Sequence, residues 1–488
     1  MGKKGIVIRN KILIIQADLV LINPSLIDHN PRNIFSLLFH KLVNYCPPGL
    51  LYLAANARKH GYNVKIYDME LNDKKKDLIA FIRKEKPKVI GITALTPSYI
   101  NALIVLKLIK ENFPDIITII GGLHISRNPK NAIARKELVD FELLGEAEFT
   151  LVQLLDYIIK KEGNLDNIEG LVYKKNGEII KNKGFPIVND LDSLPFPAID
   201  LIDRNRYFIS FQKRHPSTII MGSRGCPYNC IFCDKLSNKV RLRSTDNIIN
   251  EIKTSYKQYN IRDFQFYDLS FNINQKWVKN LCIKMIEEDL PIVWRCSARV
   301  ELINEELIKL MKQAGCYLIA FGVETGNNKS LRFLKKGFKV SDIIRAFKLS
   351  KKYKIETHAY YIVGIPGENK SDVLKTVILL KSIRPDYLNS LTLRPLPHTE
   401  LAELSSKNGW FDFSEINLLN PNFKYQKKMT LKYKEMSTKN ILKMKRYSMI
   451  AYFLNIKYLF HLFQKFLKEP NRFLFNIWRS IKEVIKIF

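Results

Sequence analysis

The stretch Ser223–Leu236, SRGCPYNCIFCDKL, carries Cys226, Cys230 and Cys233, three of the seven cysteines of this chain within eight residues. Two cysteines would suit a disulfide or a redox pair, and four would close a structural zinc site. Three thiolates suit a metal centre that keeps one coordination position for another ligand. A zinc site would need a fourth ligand, and neither His nor Cys stands close by in the sequence. A cubane 4Fe–4S cluster ordinarily takes four thiolates, so three leave one iron open to a chelating molecule that can receive an electron.

Outward from this loop, the pattern on both sides is strand and helix in alternation. The loop follows the apolar run STIIMGS, and after it come DFQFYD, PIVWRCSAR, YLIAFGVETG, ETHAYYIVGIPG and DYLNSLTLRP with helical stretches between them. So many parallel strands predict a partial or complete barrel with its function at the strand carboxyl ends. Upstream, DLVLINP, NVKIYDM, KVIGITAL, IITIIGGLH and DFELLGEAE alternate with helices such as PGLLYLAANARKHG. That predicts a doubly wound parallel sheet, whose ligands sit at the carboxyl ends of the strands. The turns Thr96-Pro97-Ser98, Gly121-Gly122-Leu123-His124 and Gly145-Glu146 fall at such ends. From spacing alone they are either ligand-binding turns or plain tight turns.

The expected organisation is a first α/β domain over residues 15–165, a hairpin around Asn176-Gly177 with a proline-punctuated linker over 166–211, a barrel over 212–425 and a helical tail over 426–488. A chain of 488 residues has room for that many cores. The formal net charge of +32 invites an anionic partner. Lys, Ile and Asn are heavily used throughout, however, and no basic block with interleaved aromatics stands outside the C-terminus, so nucleic acid is an unlikely partner on this reading. The odd number of cysteines, without framework spacing, points to a reducing compartment. Asp18 interrupts the apolar N-terminal run, which reads as a first strand rather than a secretory signal, and a cytoplasmic location is expected.

CPYNCIFC resembles the CxxxCxxC signature of the radical S-adenosylmethionine (SAM) enzymes. The GGLH and GEAE turns resemble those of the cobalamin-binding domain that precedes the barrel in one branch of them, which includes the anaerobic magnesium-protoporphyrin ester cyclases and the hopanoid methylases. The resemblance spans roughly residues 15 to 400. It implies three cofactors: a 4Fe–4S cluster on Cys226, Cys230 and Cys233, SAM chelated to the open iron, and cobalamin. Phe232 matches an aromatic position beside the adenine, and Asp268 a contact to the methionine ammonium, although Leu269 stands where the family often has a second acid. Arg299 matches a position near the sulfonium or carboxylate, Glu324 a contact to the ribose hydroxyls, and Gly364 and Ile365 the turn that presents backbone to the adenine. Thr96, Ser98, Gly121, Gly122, His124, Gly145 and Glu146 would line the cobalamin. The DxHxxG motif of proteins that place a histidine on cobalt is missing, so His124 is expected at the corrin edge or phosphate.

The implied reaction is attack by a deoxyadenosyl radical on an unactivated carbon, followed by methyl transfer from cobalamin or by cyclisation or coupling. The substrate would be a small molecule, a lipid or a tetrapyrrole, and the electron would come from an external donor of flavodoxin or ferredoxin type. No residue is singled out as a catalytic acid or base. The alternatives from other classes are a tRNA-modifying methylthiotransferase-like enzyme, which would normally carry further cysteines upstream, and a non-catalytic cobalamin or iron–sulfur sensor. The tail is dense in aromatic, Leu and Ile residues among scattered Lys and Arg, and Lys457, His461 and Lys465 interrupt any span long enough to cross a bilayer. It reads either as a helix pair, broken at Pro470, lying peripherally in a membrane interface, or as helices packing on the barrel.

Overall fold

The structure, a computed structural model, describes residues 16–24, 46–71, 75–134, 137–207, 211–411, 432–433, 436–453 and 467. Its first sheet contains β1 (Leu19–Asn23), β2 (Val64–Asp68), β3 (Val89–Thr93), β4 (Ile117–Gly121), β5 (Phe141–Leu143), β6 (Leu171–Lys175) and β7 (Glu178–Lys181). They lie in the order β2-β1-β3-β4-β5-β6-β7. The first five are parallel, with Leu21 of β1 opposite Ile66 on one side and Gly91 on the other. The winding reverses between β1 and β3, which opens a crevice at their carboxyl ends.

Alternation along the strands decides which residues meet which helices. Leu19 and Leu21 pack with Val89, Ile119 and Leu143 under the helices Pro48–Lys59 and Glu148–Leu155. Val20 and Ile22 pack with Ile90, Ile92 and Ile120 on the opposite face, under Lys75–Glu85 and Tyr99–Asn112. Near-continuous apolar strands are what a sheet covered on both faces requires.

The hairpin β6–β7 turns at Asn176 and Gly177, both with positive φ (52° and 84°), as a two-residue hairpin turn demands. It continues the first sheet, with β6 antiparallel to β5 and Val172 opposite Glu142. The expectation that it belongs with the linker is therefore corrected. A hairpin motif carries no mark of the edge strand it will join.

The second sheet is built from β8 (Ser217–Ile220) and, after a short ribbon of β9 (Ser223–Arg224) with β10 (Arg241–Leu242), from β11 (Asp263–Phe266), β12 (Val293–Ala298), β13 (Cys316–Glu324), β14 (Glu356–Val363) and β15 (Tyr387–Thr392). All six long strands are parallel and in chain order, β8-β11-β12-β13-β14-β15. This is a partial barrel. Phe264, Phe266, Trp294 and Phe321 pack on its outer face under the covering helices, Phe321 against Phe347, with the indole of Trp294 donating to the Ala314 carbonyl at 2.7 Å. Cys282, Cys296 and Cys316 are buried in the same core, which pushes the Cys296 thiol well up.

The helix Thr438–Phe453 packs on the outside of β14 and β15. Ile441 is fully buried, the Ser448 hydroxyl bonds Tyr361 at 2.8 Å, and the Tyr452 hydroxyl donates to the Pro385 carbonyl at 2.9 Å. For these residues of the tail, barrel packing is the outcome. The rest of the tail expectation, residues 454–488 apart from Leu467, lies outside the described residues. No helix among the described residues is long and apolar enough to cross a membrane.

Candidate active site

The cysteine loop leaves the carboxyl end of β8 and is shaped by its own backbone. The Cys226 amide donates to Ser237 O at 3.2 Å and the Cys233 amide to Cys230 O at 3.1 Å. Lys235 folds back and donates to the carbonyls of Cys226 (2.6 Å) and Tyr228. Cys226 and Cys230 are half-buried and Cys233 is exposed, all three as free thiols. Although Cys233 lies at the rim, crowding around its sulfur raises its pKa, followed by the charges of Cys230 and Cys226, while Lys235 and Lys336 oppose the rise. As thiolates the three sulfurs would repel one another, which a cationic centre between them would relieve. Among the described residues no three His, Cys, Asp or Glu side chains are close enough to share one metal ion. A cubane gives each thiolate its own iron, so a wider triangle suits it.

A cavity of about 420 Å³ lies between the carboxyl ends of the first sheet and this loop. Gly121, Gly122, Gly145 and Glu146 wall one side, and Ser223–Gly225 with Asp234–Ser237 wall the other. It continues between the sheet and its covering helices, past Leu21, Gly91, Leu50 and Leu151. A Cβ at Gly91 would meet Leu21 Cδ2 at 2.8 Å, so this glycine makes room for Leu21 in the cavity wall. Exposed apolar side chains from both halves, Leu95, Tyr267 and Leu269, line the same cavity. A predominantly apolar cleft at strand ends, entered from a glycine-rich turn, fits a large flat cofactor with an aromatic tail.

The other expected site residues divide. Gly122 and Gly145 have φ of 101° and 70°, and a Cβ on them would meet the carbonyl oxygens of Ala94 (2.7 Å) and Pro186 (2.3 Å), so the turns themselves demand glycine. The Ser98 hydroxyl is turned back onto the amide and carbonyl of Leu95, at 3.1 and 3.2 Å, and closes the short turn Thr96–Ser98. His124 is buried beneath its turn, 3.2 Å from the Thr96 hydroxyl and stacked on Tyr99 at 4.0 Å. Glu146 accepts two hydrogen bonds of 2.7 Å from Arg241 and one of 2.8 Å from the Val188 amide, and pairs with Arg224 at 3.2 Å. Burial alone would raise its pKa, but Arg241 and Arg224 hold it below the usual carboxylate range. Its carboxylate is a bolt between the two halves.

On the barrel side, Phe232 is half-buried against the core. Asp268 is buried and accepts from the Ser223 hydroxyl and, at 3.2 Å, from the Gly222 amide. Burial pushes its pKa up to about 6. It braces the entry to the cysteine loop through these bonds. Arg299 pairs with Glu301 at 2.5 Å, and its guanidinium lies 3.4 Å from the Tyr228 ring centroid. Glu324 pairs with Lys336 at 2.9 Å. Gly364 packs against Ile441, and the Ile365 carbonyl accepts from the Tyr433 hydroxyl at 2.9 Å, which ties this turn to the C-terminal segment.

Sequence reading missed the residues that join the halves. Arg127, just past the Gly121-Gly122 turn, pairs with Asp234 at 2.9 Å and donates to the Lys235 carbonyl, next to Cys233. Arg224 pairs with Glu148 at 2.6 Å. The one available signal was the arginines at 224, 241 and 243, which flank the loop expected to carry three thiolates.

Fold and site together define an enzyme with a thiolate-bound redox cluster facing a Rossmann-like cofactor domain. Comparison with known proteins matches residues 220–380 to the radical SAM superfamily and residues 41–155 to the B12 binding domain. An uncharacterized methyltransferase of Pyrococcus horikoshii is 30% identical over 452 residues, covering 91% of this chain and 94% of its own. The anaerobic magnesium-protoporphyrin IX monomethyl ester cyclase of Rubrivivax gelatinosus is 29% identical over 392 residues, covering 78% and 70%. The structure of the cobalamin-dependent SAM radical enzyme OxsB, with aqua-cobalamin and SAM bound, superposes with a TM-score of 0.71 at 17% identity over 95% of this chain and 72% of that one. The chain belongs to the cobalamin-binding radical SAM enzymes, a family of methyltransferases and cyclases, and its cofactors are a 4Fe–4S cluster, SAM and cobalamin. These similarities do not favour the tRNA-modifying alternative over the methyltransferase or cyclase reading.

Proposed function

We propose that this enzyme methylates, or alternatively cyclises, an apolar small molecule of the lipid or tetrapyrrole kind at an unactivated carbon, within the cavity between the two sheets. The observation that carries the reading is that one cavity takes its walls from both the cysteine loop and the glycine turns. When bound, the cluster with SAM supplies hydrogen abstraction from unreactive carbon, and cobalamin supplies a methyl group. The chain's own residues hold these parts in register. Cys226, Cys230 and Cys233 hold the cluster, with Phe232, Arg299 and Glu324 around SAM. Thr96, Gly121, Gly122 and Gly145 back the cobalamin, with Leu21, Gly91 and Leu151 along its tail. The ion pairs Arg241–Glu146, Arg224–Glu148 and Arg127–Asp234 fix the spacing between the two cofactor sites. Fixed spacing is what lets a bound carbon meet both reagents in turn. Leu95, Tyr267 and Leu269 keep water from the reacting carbon.

An acidic one-electron donor of flavodoxin or ferredoxin type suits a chain with a formal net charge of +32. The test is anaerobic incubation of the reconstituted holoenzyme with SAM, cobalamin and a low-potential reductant, with host lipid extract or a porphyrin ester as substrate. Methylation gives 5′-deoxyadenosine, S-adenosylhomocysteine and a product one methyl heavier by mass spectrometry. Cyclisation gives 5′-deoxyadenosine without S-adenosylhomocysteine. Absence of 5′-deoxyadenosine from protein that carries its cluster would overturn the reading.

A further inference from the structure

A buried ion pair lies against the cysteine loop. Lys336 Nζ stands 2.9 Å from Glu324 Oε1, with the two side chains only 11% and 8% exposed. The same ammonium is 5.7 Å from the ring centroid of Phe232, the residue before Cys233. The lysine's segment is tied to the loop, because the Ile231 amide donates to Leu334 O at 3.3 Å. Its carbonyl is held by Arg299, whose guanidinium stacks on Tyr228 of that loop and has its own counter-ion in Glu301. Glu324 reaches Lys336 from a distorted strand end. Its φ is +59°, and the pairing of β13 with β14 slips between Gly322 and Glu324. A non-glycine residue kept in the left-handed region marks a place where surrounding structure enforces a particular aim. Burial alone would strip a lysine of its proton, but the neighbouring Glu324 carboxylate keeps this one charged.

We propose that Lys336 and Glu324 are positioning residues of opposite sign for the cluster's reduction potential, the ammonium favouring the reduced cluster and the carboxylate offsetting it. Reduction adds one electron to the cluster and no proton, so the cluster gains one negative charge. In a poorly screened interior a neighbouring cation stabilises that charge, and net charge and burial around the sulfurs set the potential. The pair thereby fixes how readily an external donor loads the electron. This rests on the reading that Cys226, Cys230 and Cys233 hold a 4Fe–4S cluster.

The experiment uses the full chain, reconstituted anaerobically with iron and sulfide and without SAM. It is titrated with titanium(III) citrate through viologen mediators while the reduced cluster is followed by electron paramagnetic resonance. Lys336→Met should lower the midpoint and Glu324→Gln should raise it. Each should change the reduction equilibrium about tenfold, or about 59 mV for one electron. Lys336→Arg, which keeps the charge, should stay near the wild type. Shifts of the same sign in Lys336→Met and Glu324→Gln, or no shift in either, would overturn the proposal. Loss of the cluster in Lys336→Met alone would make the lysine a structural support and overturn it too. Failure of the wild-type protein to bind iron and sulfide would instead overturn the cluster reading, so the two failures are told apart.

Discussion

Cys230 shows what one atom contributes. The loop's backbone bonds, Ile231 to Leu334 and Cys226 to Ser237, do not use its sulfur. Cys230→Ala should therefore lose bound iron and sulfide and all 5′-deoxyadenosine formation, while far-ultraviolet circular dichroism of the protein stays unchanged. Asp268 makes a different prediction. Its folded pKa is raised from 3.8 to about 6 by burial, so the folded chain holds the proton more tightly than the unfolded one. Stability from this residue is then fully present below about 4 and is lost as pH rises toward about 6, on the order of 2–3 kcal/mol. Asp268→Asn cannot titrate, and the fall in its urea midpoint between pH 4.5 and 6.5 should be smaller than in the wild type. An identical fall in both proteins would remove Asp268 as the cause. The cysteines were legible in the sequence because their spacing along the chain is their spacing in the loop. Asp268, Ile365 and Glu146 were not, because the partners that claim them lie 45, 68 and 95 residues away. Lys336 escaped notice because one more lysine in a lysine-rich chain gives no signal until the fold buries it.

At the scale of elements, strands and helices could be read because apolar alternation and 3.6-residue periodicity are local properties of the chain. The edge that the β6–β7 hairpin joins could not, and neither could the bolting of the glycine turns to the cysteine loop. Those contacts are ion pairs, and any Glu can meet any Arg. The Arg241–Glu146 pair is almost fully buried, with side chains 4% and 8% exposed, so it is poorly screened and costly to halve. Arg241→Ala leaves Glu146 with Arg224 and the Val188 amide as partners. It should cost about 3 kcal/mol in urea unfolding, toward the low end for a broken buried pair. Replacing both partners, as Arg241→Met with Glu146→Leu, should recover part of that loss, because no buried charge is then left underpaired. A double variant less stable than Arg241→Ala would mean that shape at this seam matters more than charge. Cobalamin bound by either variant, read from its visible spectrum, reports whether the turns keep their position when the bolt is drawn.

For the whole molecule, the tail carries both a barrel contact and an exposed apolar and basic face. Its described helix belongs to the barrel, since Ile441, Met449 and Tyr452 are buried and Tyr433 closes the Ile365 turn. On the other side of that helix, Leu442, Tyr447 and Ile450 are 46%, 43% and 42% exposed, beside the exposed Lys439, Lys443 and Arg446. The sequence beyond Phe453 continues in the same composition. We propose that residues 454–488 carry this apolar and basic surface onto an anionic membrane and so bring an apolar substrate near the cavity. Apolar burial at roughly 25 cal/mol per Å² would supply most of the affinity. Each Lys or Arg near the surface would add about 1 kcal/mol, fading as salt shortens the screening length. A chain ended after Phe453 should keep its cluster and its thermal midpoint but lose flotation with phosphatidylserine-containing vesicles. One ended after Phe411 should lose several degrees of thermal midpoint as well, because the Tyr433 bond and the Ile441 and Tyr452 packing go with it. Equal flotation of the full chain and the chain ended after Phe453 would sink the membrane proposal and leave the barrel contact as the whole of the tail's work.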